Sequence, residues 1–191
     1  QSSFDLKING TKVSPLVKTN KNHLYSAQED GTISALKALN VSTVMLANNH
    51  AVDFGKAGLM DTIRVLEDAN IKYIGGGINQ EEAERPLFFD KKCGNKIFKT
   101  AIVSCYNYGS ASEEFGFYAK ENIPGVNKQS LTRISNQVTK IKNEERERFF
   151  IVSPHWGPNY VWRTFGQQQM SEQLIDVGVD LIVGHSAHML Q

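Results

Sequence analysis

The sequence predicts an α/β fold in which a largely parallel sheet is covered by helices. Segments with helical periodicity alternate with short, apolar, β-rich runs that close in turn residues. Parallel strands need crossover connections, and these are usually helices, so the alternation favours parallel pairing. The 191 residues are enough for one sizeable core, and we expect a single domain over residues 1–191.

Composition narrows the functional classes. The chain is 40% hydrophobic and 21% charged with a net charge of +1, which is typical of a soluble globular protein and lacks the basic excess of a nucleic-acid surface. The longest apolar runs, such as 149–152, are too short to form a transmembrane segment. Cys93 and Cys105 are expected to be free thiols. Because the chain starts at Gln1 and stops directly after a motif, we expect it to be part of a longer protein.

The first half of the chain contains alternating helix and strand signals after a weak start. Residues 1–30 are polar and aperiodic, so irregular structure with one weak strand is expected there. Helices are predicted where apolar residues recur every three or four positions, and strands where β-branched and aromatic residues cluster. In chain order the predicted elements are a weak strand at 6–8, a helix through Ile33, Leu36 and Leu39, a strand at 41–47, a helix through Leu59, Ile63 and Leu66, and a strand at 71–74 closed by glycines at 75–77.

The second half repeats the alternation. Asn79 with Glu82 resembles a capping box, a turn-rich link at 90–95 predicts a hairpin, and 107–127 is a long loop of the kind that is often functional. The mixed-charge run 142–148 is expected to be solvated. In chain order the predicted elements are a short helix to Arg85, a hairpin of 87–89 and 96–106, a helix through Leu131, Ile134, Val138 and Ile141, a strand at 149–153, a helix through Met170, Leu174 and Val177 that ends at Gly178, and a strand at 181–183.

Three of the predicted strands end in polar side chains that suit metal chemistry. Ligands of open α/β sheets lie outside the carboxyl ends of the strands, and imidazole is the commonest nitrogen ligand of transition metals. One histidine after a strand is more often a satisfied polar group, but the joint placement favours a metal site. The residues in question are Asn48, Asn49, His50 and Asp53 after the first strand, His155 after the second, and His185 and His188 after the third.

Spacing suggests different roles within the first cluster. The side chains of Asn49 and His50 diverge, so one can face an ion while the other faces the substrate as an acid. Asp53 could hold the His50 ring in the useful tautomer, it could cap the helix that begins near Lys56, or it could do both. No carboxylate follows a fourth strand, so the residues alone do not supply a group that would bridge two metals.

Other motifs are less specific. The loop after His155 contains Trp156, Tyr160, Trp162 and Arg163, which could form an aromatic and cationic wall for an anionic substrate or could pack on their own domain. The glycines at 75–77 lack the full dinucleotide fingerprint and indicate a tight connection. The sequence has no nucleophile elbow, Walker motif or CxxC pair.

The ordered set of motifs resembles a known family. The run LANNHAVDFG at 46–55, the pairs Gly58-Leu59 and Asp61-Thr62, the triplet His155-Trp156-Gly157 and the closing VGHSAHMLQ at 183–191 are similar to the bacterial capsule-biosynthesis (CapA, poly-γ-glutamate synthesis) family, a branch of the calcineurin-like metallophosphoesterase superfamily. The resemblance extends from about Gly31 to the C-terminus.

The resemblance implies a four-layer sandwich of two mixed β-sheets flanked by helices, present here in incomplete form, and a metal-dependent hydrolase. It implies one or two divalent Mn, Fe or Zn ions at the strand ends. By position, Asn49, His155 and His185 resemble ligands of one metal, His188 resembles a ligand of the other, and His50 with Asp53 is similar to the pair that assists phosphoester cleavage. Substrate contacts are expected from Asn48, Trp156, Tyr160 and Arg163.

The chain also departs from the family pattern. The Gly-Asp after the opening strand and the Asn-Leu-Glu-like segment have no counterpart, and the closing His-His-Pro-His is replaced by His185-Ser186-Ala187-His188. We therefore expect this chain alone to bind at most one metal weakly and to be inactive. The resemblance implies an anionic substrate or polymer, membrane synthase subunits as partners, and a membrane-associated, extracytoplasmic place for the parent protein. The alternative is a non-catalytic accessory protein of the same assembly, since a fold does not fix a function.

Overall fold

The computed structural model describes residues 6–8, 11–13, 27–107, 113 and 115–191. Its elements confirm the predicted alternation of strands and helices. In chain order they are β1 (Leu6–Ile8), β2 (Thr11–Val13), α1 (Glu29–Ala38), β3 (Thr43–Met45), α2 (Gly55–Asp68), β4 (Lys72–Ile74), β5 (Gly76–Gly77), α3 (Gln80–Glu84), β6 (Leu87–Cys93), β7 (Lys96–Asn107), β8 (Gly125–Val126), α4 (Leu131–Glu144), β9 (Phe149–Trp156), α5 (Phe165–Asp176) and β10 (Leu181–Ile182).

A four-stranded mixed sheet is the largest strand assembly among the described residues. Its order is β10-β9-β7-β6. β7, β9 and β10 are parallel, and α4 and α5 make the crossovers between them, as the sequence predicts. β6 pairs antiparallel with β7 through the predicted hairpin. The fold is therefore α/β, with a mixed sheet.

A smaller parallel sheet carries the first polar cluster. β3 pairs with β4, and α2 crosses between them. Residues 127–129, which we call the junction segment, connect this sheet to β7. Asn127 N–H donates to Gly75 O at the end of β4 over 2.9 Å, and Tyr106 N–H on β7 donates to Asn127 O over 2.8 Å. The two sheets are thus joined by backbone hydrogen bonds near their carboxyl ends.

Two apolar cores lie on either side of this junction. The first packs α2 against β3 and β4 and includes Leu59, Ile63 and Tyr106. The second packs α4 and α5 against one face of the four-stranded sheet around Phe150 and Leu174. Because side chains alternate along a strand, the opposite face of that sheet carries a different apolar set. Its exposed members are Phe89, Phe98, Phe149, Leu181 and Val183.

Several local predictions are confirmed and one is wrong. The Asn79 side chain accepts from Glu82 N–H and caps α3, and Cys93 and Cys105 are free. Phe54 occupies the N-cap position of α2 without a side-chain hydrogen bond, and the Asp53 carboxylate contacts His50 Nδ1. The run 142–148 is not a solvated face throughout, since Arg148 is buried.

The physical reason for the Arg148 result is a set of partners from three segments. Its guanidinium donates to Asp90 on β6 over 2.9 Å, to the Thr100 carbonyl on β7 over 3.0 Å, and to Glu145. These acceptors compensate for burying the charge.

The remaining differences concern element lengths and the N-terminal segment. The strand expected at 41–47 is limited to β3, and the strand expected at 149–153 continues to Trp156. The weak strand at 6–8 is present and pairs with β2, which was not predicted. The rest of the predicted irregular segment 1–30 lies largely outside the described residues. In the part of the chain that the structure describes, no helix is both long and apolar enough to cross a membrane.

Candidate functional site

The first part of the candidate site is a local pair formed by His50 and Asp53. His50 Nδ1 lies 2.7 Å from Asp53 Oδ2, and the Asp53 side chain is fully buried while that of His50 is 36% exposed. Asn48 Oδ1 accepts from His50 N–H over 2.8 Å, which shapes the turn after β3. A carboxylate oxygen can only accept in this contact, so Nδ1 carries a proton, and in the neutral form of the ring the lone pair is on Nε2. This is the contact that the Asp53 prediction requires, while its catalytic role stays a prediction.

The second part is a cross-strand pair formed by His155 and His185. His155 is the penultimate residue of β9, and His185 follows the parallel strand β10 at the matching bridge position. Their backbones are held by His185 N–H donating to Pro154 O and Trp156 N–H donating to His185 O. The two Nδ1 atoms are 3.0 Å apart. Burial lowers the pKa of His185, so this imidazole is neutral near pH 7 and has one ring nitrogen with a lone pair.

A cluster of three aromatic residues packs against His155 of the cross-strand pair. The Tyr106 ring, which is 2% exposed, meets the His155 ring edge-on with centroids 5.5 Å apart. Phe117 and Tyr118 pack on the same tyrosine at 6.1 and 5.9 Å. His155 is therefore fixed by a strand on one side and by a buried ring on the other.

A cleft of about 680 Å³ opens beside the cross-strand pair, between α5 and the loop at 184–191. Arg163, His185 and His188 line it together with polar groups of α5. The loop can lie close to β9 because residue 184 is glycine, where a Cβ atom would stand 2.6 Å from Trp156 Nε1. The cleft thus combines the Arg163 cation, two imidazoles and amide groups with one carboxylate, that of Glu172.

The predicted substrate residues are distributed around this cleft and the first pair. Trp156 is buried and lines the cleft, Arg163 is exposed at its wall, and the Tyr160 ring lies 5.4 Å from that of His188. Asn48 lies instead in the turn beside His50. The structure therefore places the predicted substrate residues on two sides of the site.

The donor set fits a metal in part. Two imidazole nitrogens converge at the cross-strand pair, and neutral imidazole is a ligand that zinc, iron and manganese accept. Asn49 lies half-buried beside His50, and His188 faces the cleft next to Tyr160. Among the described residues, no three His, Cys, Asp or Glu side chains form a group that could hold an ion. The structure therefore brings His155 and His185 together, and His188 lines the same cleft as His185.

Two residues that support the site were not predicted as such. Tyr106 lay at the end of a predicted strand and Asn127 at the end of a predicted loop. Asn127 joins the two sheets, and its Nδ2 donates to Ser104 O over 2.9 Å. Neither has a local sequence signal, because each acts on residues that are distant along the chain.

The family model and the curated relatives that match this chain agree on one family. The family model described as bacterial capsule synthesis protein PGA_cap matches residues 11–191. Curated relatives include the capsule biosynthesis protein CapA of Bacillus anthracis, 28% identical over 177 residues and 91% of this chain. The PGA biosynthesis protein CapA of Bacillus subtilis (strain 168) is 28% identical over 170 residues and 88% of this chain.

A third relative adds a different description. It is a probable polyglutamine synthesis accessory protein of Mycobacterium tuberculosis, 31% identical over 164 residues and 82% of this chain. The matched segments cover 41% of the first relative and 42% of each of the other two. The chain therefore spans about two fifths of the length of these relatives.

Proposed function

We propose that this chain, which belongs to the PGA_cap family of bacterial capsule synthesis proteins, is the metal-binding part of a metallophosphoesterase-type hydrolase that acts in capsule or poly-γ-glutamate synthesis. The observation that carries the proposal is the cross-strand pair, whose two Nδ1 atoms lie 3.0 Å apart at the carboxyl ends of parallel strands. Two imidazole rings whose Nδ1 atoms face each other at this distance can share one cation when both of those nitrogens carry lone pairs.

Each residue of the proposed site would have a separate role. His155 and His185 would hold a divalent ion, with Asn49 and His188 as the further ligands. When bound, such an ion orients a hydroxide and neutralises phosphoryl charge. His50 would move a proton at Nε2: with Asp53 holding Nδ1–H, Nε2 would take up a proton from water and then give it to the leaving oxygen. Arg163 and the amides of the cleft would orient the anionic substrate.

The proposal includes a specific architecture for the full-length protein. In the full-length protein the exposed apolar face of the four-stranded sheet would be covered, giving the four-layer sandwich of the metallophosphoesterase type. Support comes from the exposed phenylalanines, since Phe89 and Phe98 are 47% and 56% exposed on a face of this size, and extended apolar patches are normally interaction surfaces. We also propose that the full-length protein lies outside the cytoplasm and is associated with the membrane.

Metal content and hydrolysis test the proposal. Full-length protein, purified without chelator, is expected to contain Mn, Fe or Zn and to hydrolyse bis-p-nitrophenyl phosphate or p-nitrophenyl phosphate. Asn49→Ala and His155→Ala should remove metal and activity, while Lys140→Ala, an exposed position on α4, should change neither. Metal-free protein, or full activity in both site variants, would contradict it. For the isolated chain we expect at most one weakly bound metal and negligible turnover.

A non-catalytic accessory role is the second candidate. One relative is named a probable accessory protein of polyglutamine synthesis, and the cleft is lined by Arg163 and by His188, whose ring lies 5.4 Å from that of the exposed Tyr160. Under this alternative, the protein would bind an anionic polymer or membrane synthase subunits through the same cleft. Full-length protein that binds poly-γ-glutamate in an Arg163-dependent way and hydrolyses no phosphoester would favour it.

A further inference from the structure

The two parts of the candidate site are built on different sheets. The local pair follows β3, which is hydrogen-bonded to β4. The cross-strand pair belongs to β9 and β10 of the four-stranded sheet. Any chemistry that uses both pairs needs a fixed distance between them, because a displacement of about 1 Å in a catalytic group can reduce a rate a hundredfold.

Asn127 occupies the point where these sheets meet. Its N–H donates to Gly75 O at the end of β4, its carbonyl accepts from Tyr106 N–H on β7, and its side-chain Nδ2 donates to Ser104 O on β7 over 2.9 Å. It is 5% exposed. One buried residue thus hydrogen-bonds to both sheets.

Short contacts lead from Asn127 to each pair. On one side Leu46 N–H donates to Ile74 O over 2.8 Å, four residues before His50. On the other side Tyr106, whose N–H is bound to Asn127, packs its ring on His155. The close approach of these segments depends on Gly75, where a Cβ atom would lie 2.7 Å from Ala47 Cβ and 2.9 Å from Ser104 Cβ.

The Gln129 backbone N–H also donates to Tyr106 O on β7, over 3.0 Å, but the neighbouring polar side chains make no such contact. Gln129 belongs to the same junction segment and is 8% exposed, but neither its Oε1 nor its Nε2 has a hydrogen-bond partner, and the same is true of Ser104 Oγ. Of the two buried amide side chains in this segment, Asn127 is the one that bonds to β7.

We propose that Asn127 is a positioning residue that sets the distance and orientation between the local pair and the cross-strand pair. Its consequence for metal binding rests on the proposed function above, but its effect on geometry does not. The hydrogen bond from Asn127 Nδ2 to Ser104 O holds the junction segment against β7. The turn after β3, which carries His50, and the end of β9 therefore keep one relative position.

Distance measurement tests the geometry without any metal. Spin labels are attached to Met60→Cys on α2 and Ile175→Cys on α5, both exposed, in a Cys93→Ser background. Asn127→Ala is expected to broaden the distribution of distances between the labels. Gln129→Ala, equally buried and from the same segment, should leave it unchanged. An unchanged distribution in Asn127→Ala, or equal broadening in both variants, would overturn the proposal.

Cobalt titration of full-length protein tests the link to the site. Asn127→Ala should weaken Co²⁺ binding about tenfold, as loss of an outer-shell support does, and it should have no additional effect in an Asn49→Ala background because both changes act on the same ligand. Additive losses would show that Asn127 does not act through the β3 turn and would overturn the proposal. If full-length protein without a substitution binds no Co²⁺, the proposed function fails, but the distance measurement still decides the role of Asn127. Should Asn127→Ala not fold, Asn127→Asp keeps the side-chain size, loses the Nδ2 donor and is expected to behave alike.

Discussion

The local pair and the cross-strand pair hold their histidines by different means. His50 is oriented by Asp53 and Asn48, both within three residues of it. His155 and His185 are 30 residues apart and meet because β9 and β10 pair in one register. The first arrangement depends on a turn, and the second depends on a whole sheet with its two covering helices.

This difference predicts unequal sensitivity to distant changes. Substitutions in the scaffold of the four-stranded sheet should disturb the cross-strand pair while the local pair keeps its contact in the native state. Substitutions in the β3 turn should do the reverse. Four experiments can break or sharpen this comparison.

Arg148→Ala should have the largest effect, because it removes a buried cation that holds β6, β7 and the turn before β9 together. We expect a loss of about 2–4 kcal/mol in the free energy of unfolding, measured in urea, and faster labelling of the buried Cys105 thiol on β7. Lys99→Ala is the control, since its bond to Glu145 joins two exposed groups and should contribute little. Equal losses in the two variants would contradict the structural role of Arg148.

Gly184→Ala should separate His185 from His155. The new Cβ would stand 2.6 Å from Trp156 Nε1, and such overpacking costs about 1–3 kcal/mol. The nuclear Overhauser contact between the two imidazole rings should weaken, while the His50 signals stay as in the parent. Gly31→Ala in α1 is the matched control, because nothing lies within 4 Å of its Cβ position and alanine favours a helix. A cross-strand pair that remained intact in Gly184→Ala would show that the loop has room to move.

The stability of the cross-strand scaffold should depend on alkaline pH through Cys105. Burial raises the pKa of this thiol to about 12, so the folded protein keeps a proton that the unfolded chain loses above about pH 8.5. The contribution of the Cys105 thiol to the free energy of unfolding is therefore fully present below that pH. It falls as pH rises toward 12, by on the order of 1–2 kcal/mol at pH 10. Urea unfolding of parent and Cys105→Ala at pH 7 and pH 10 measures the difference, and an identical pH dependence would refute it.

Asp53→Asn should have the smallest effect on stability and should act on the local pair alone. An amide keeps the shape of the carboxylate but accepts more weakly, so we expect a loss of about 1 kcal/mol. The His50 ring should lose its single tautomer, which nitrogen chemical shifts report, while the contact between His155 and His185 stays. A His50 tautomer that remained fixed would mean that Asp53 does not control it.

The sequence allowed much of the fold to be predicted because its signals are local. Asn79 with Glu82 marked the start of α3, Gly178 marked the end of α5, and apolar periodicity marked α2 and α4. Strand ends were less certain, as β3 is shorter and β9 longer than expected, since strand length depends on the partner strand. Arg148 was misjudged because its acceptors Asp90 and Thr100 lie 58 and 48 residues away.

The same distinction applies to the site. By itself the sequence determined the His50–Asp53 contact, because a turn of three residues brings the two side chains together, and it indicated that His155, His185 and His188 follow strands. Only the tertiary structure decided that His155 and His185 meet, that His188 faces a cleft beside Tyr160, and that Asn127 joins the two sheets. These relations depend on strand register and sheet packing, which are set by contacts between residues far apart in the chain.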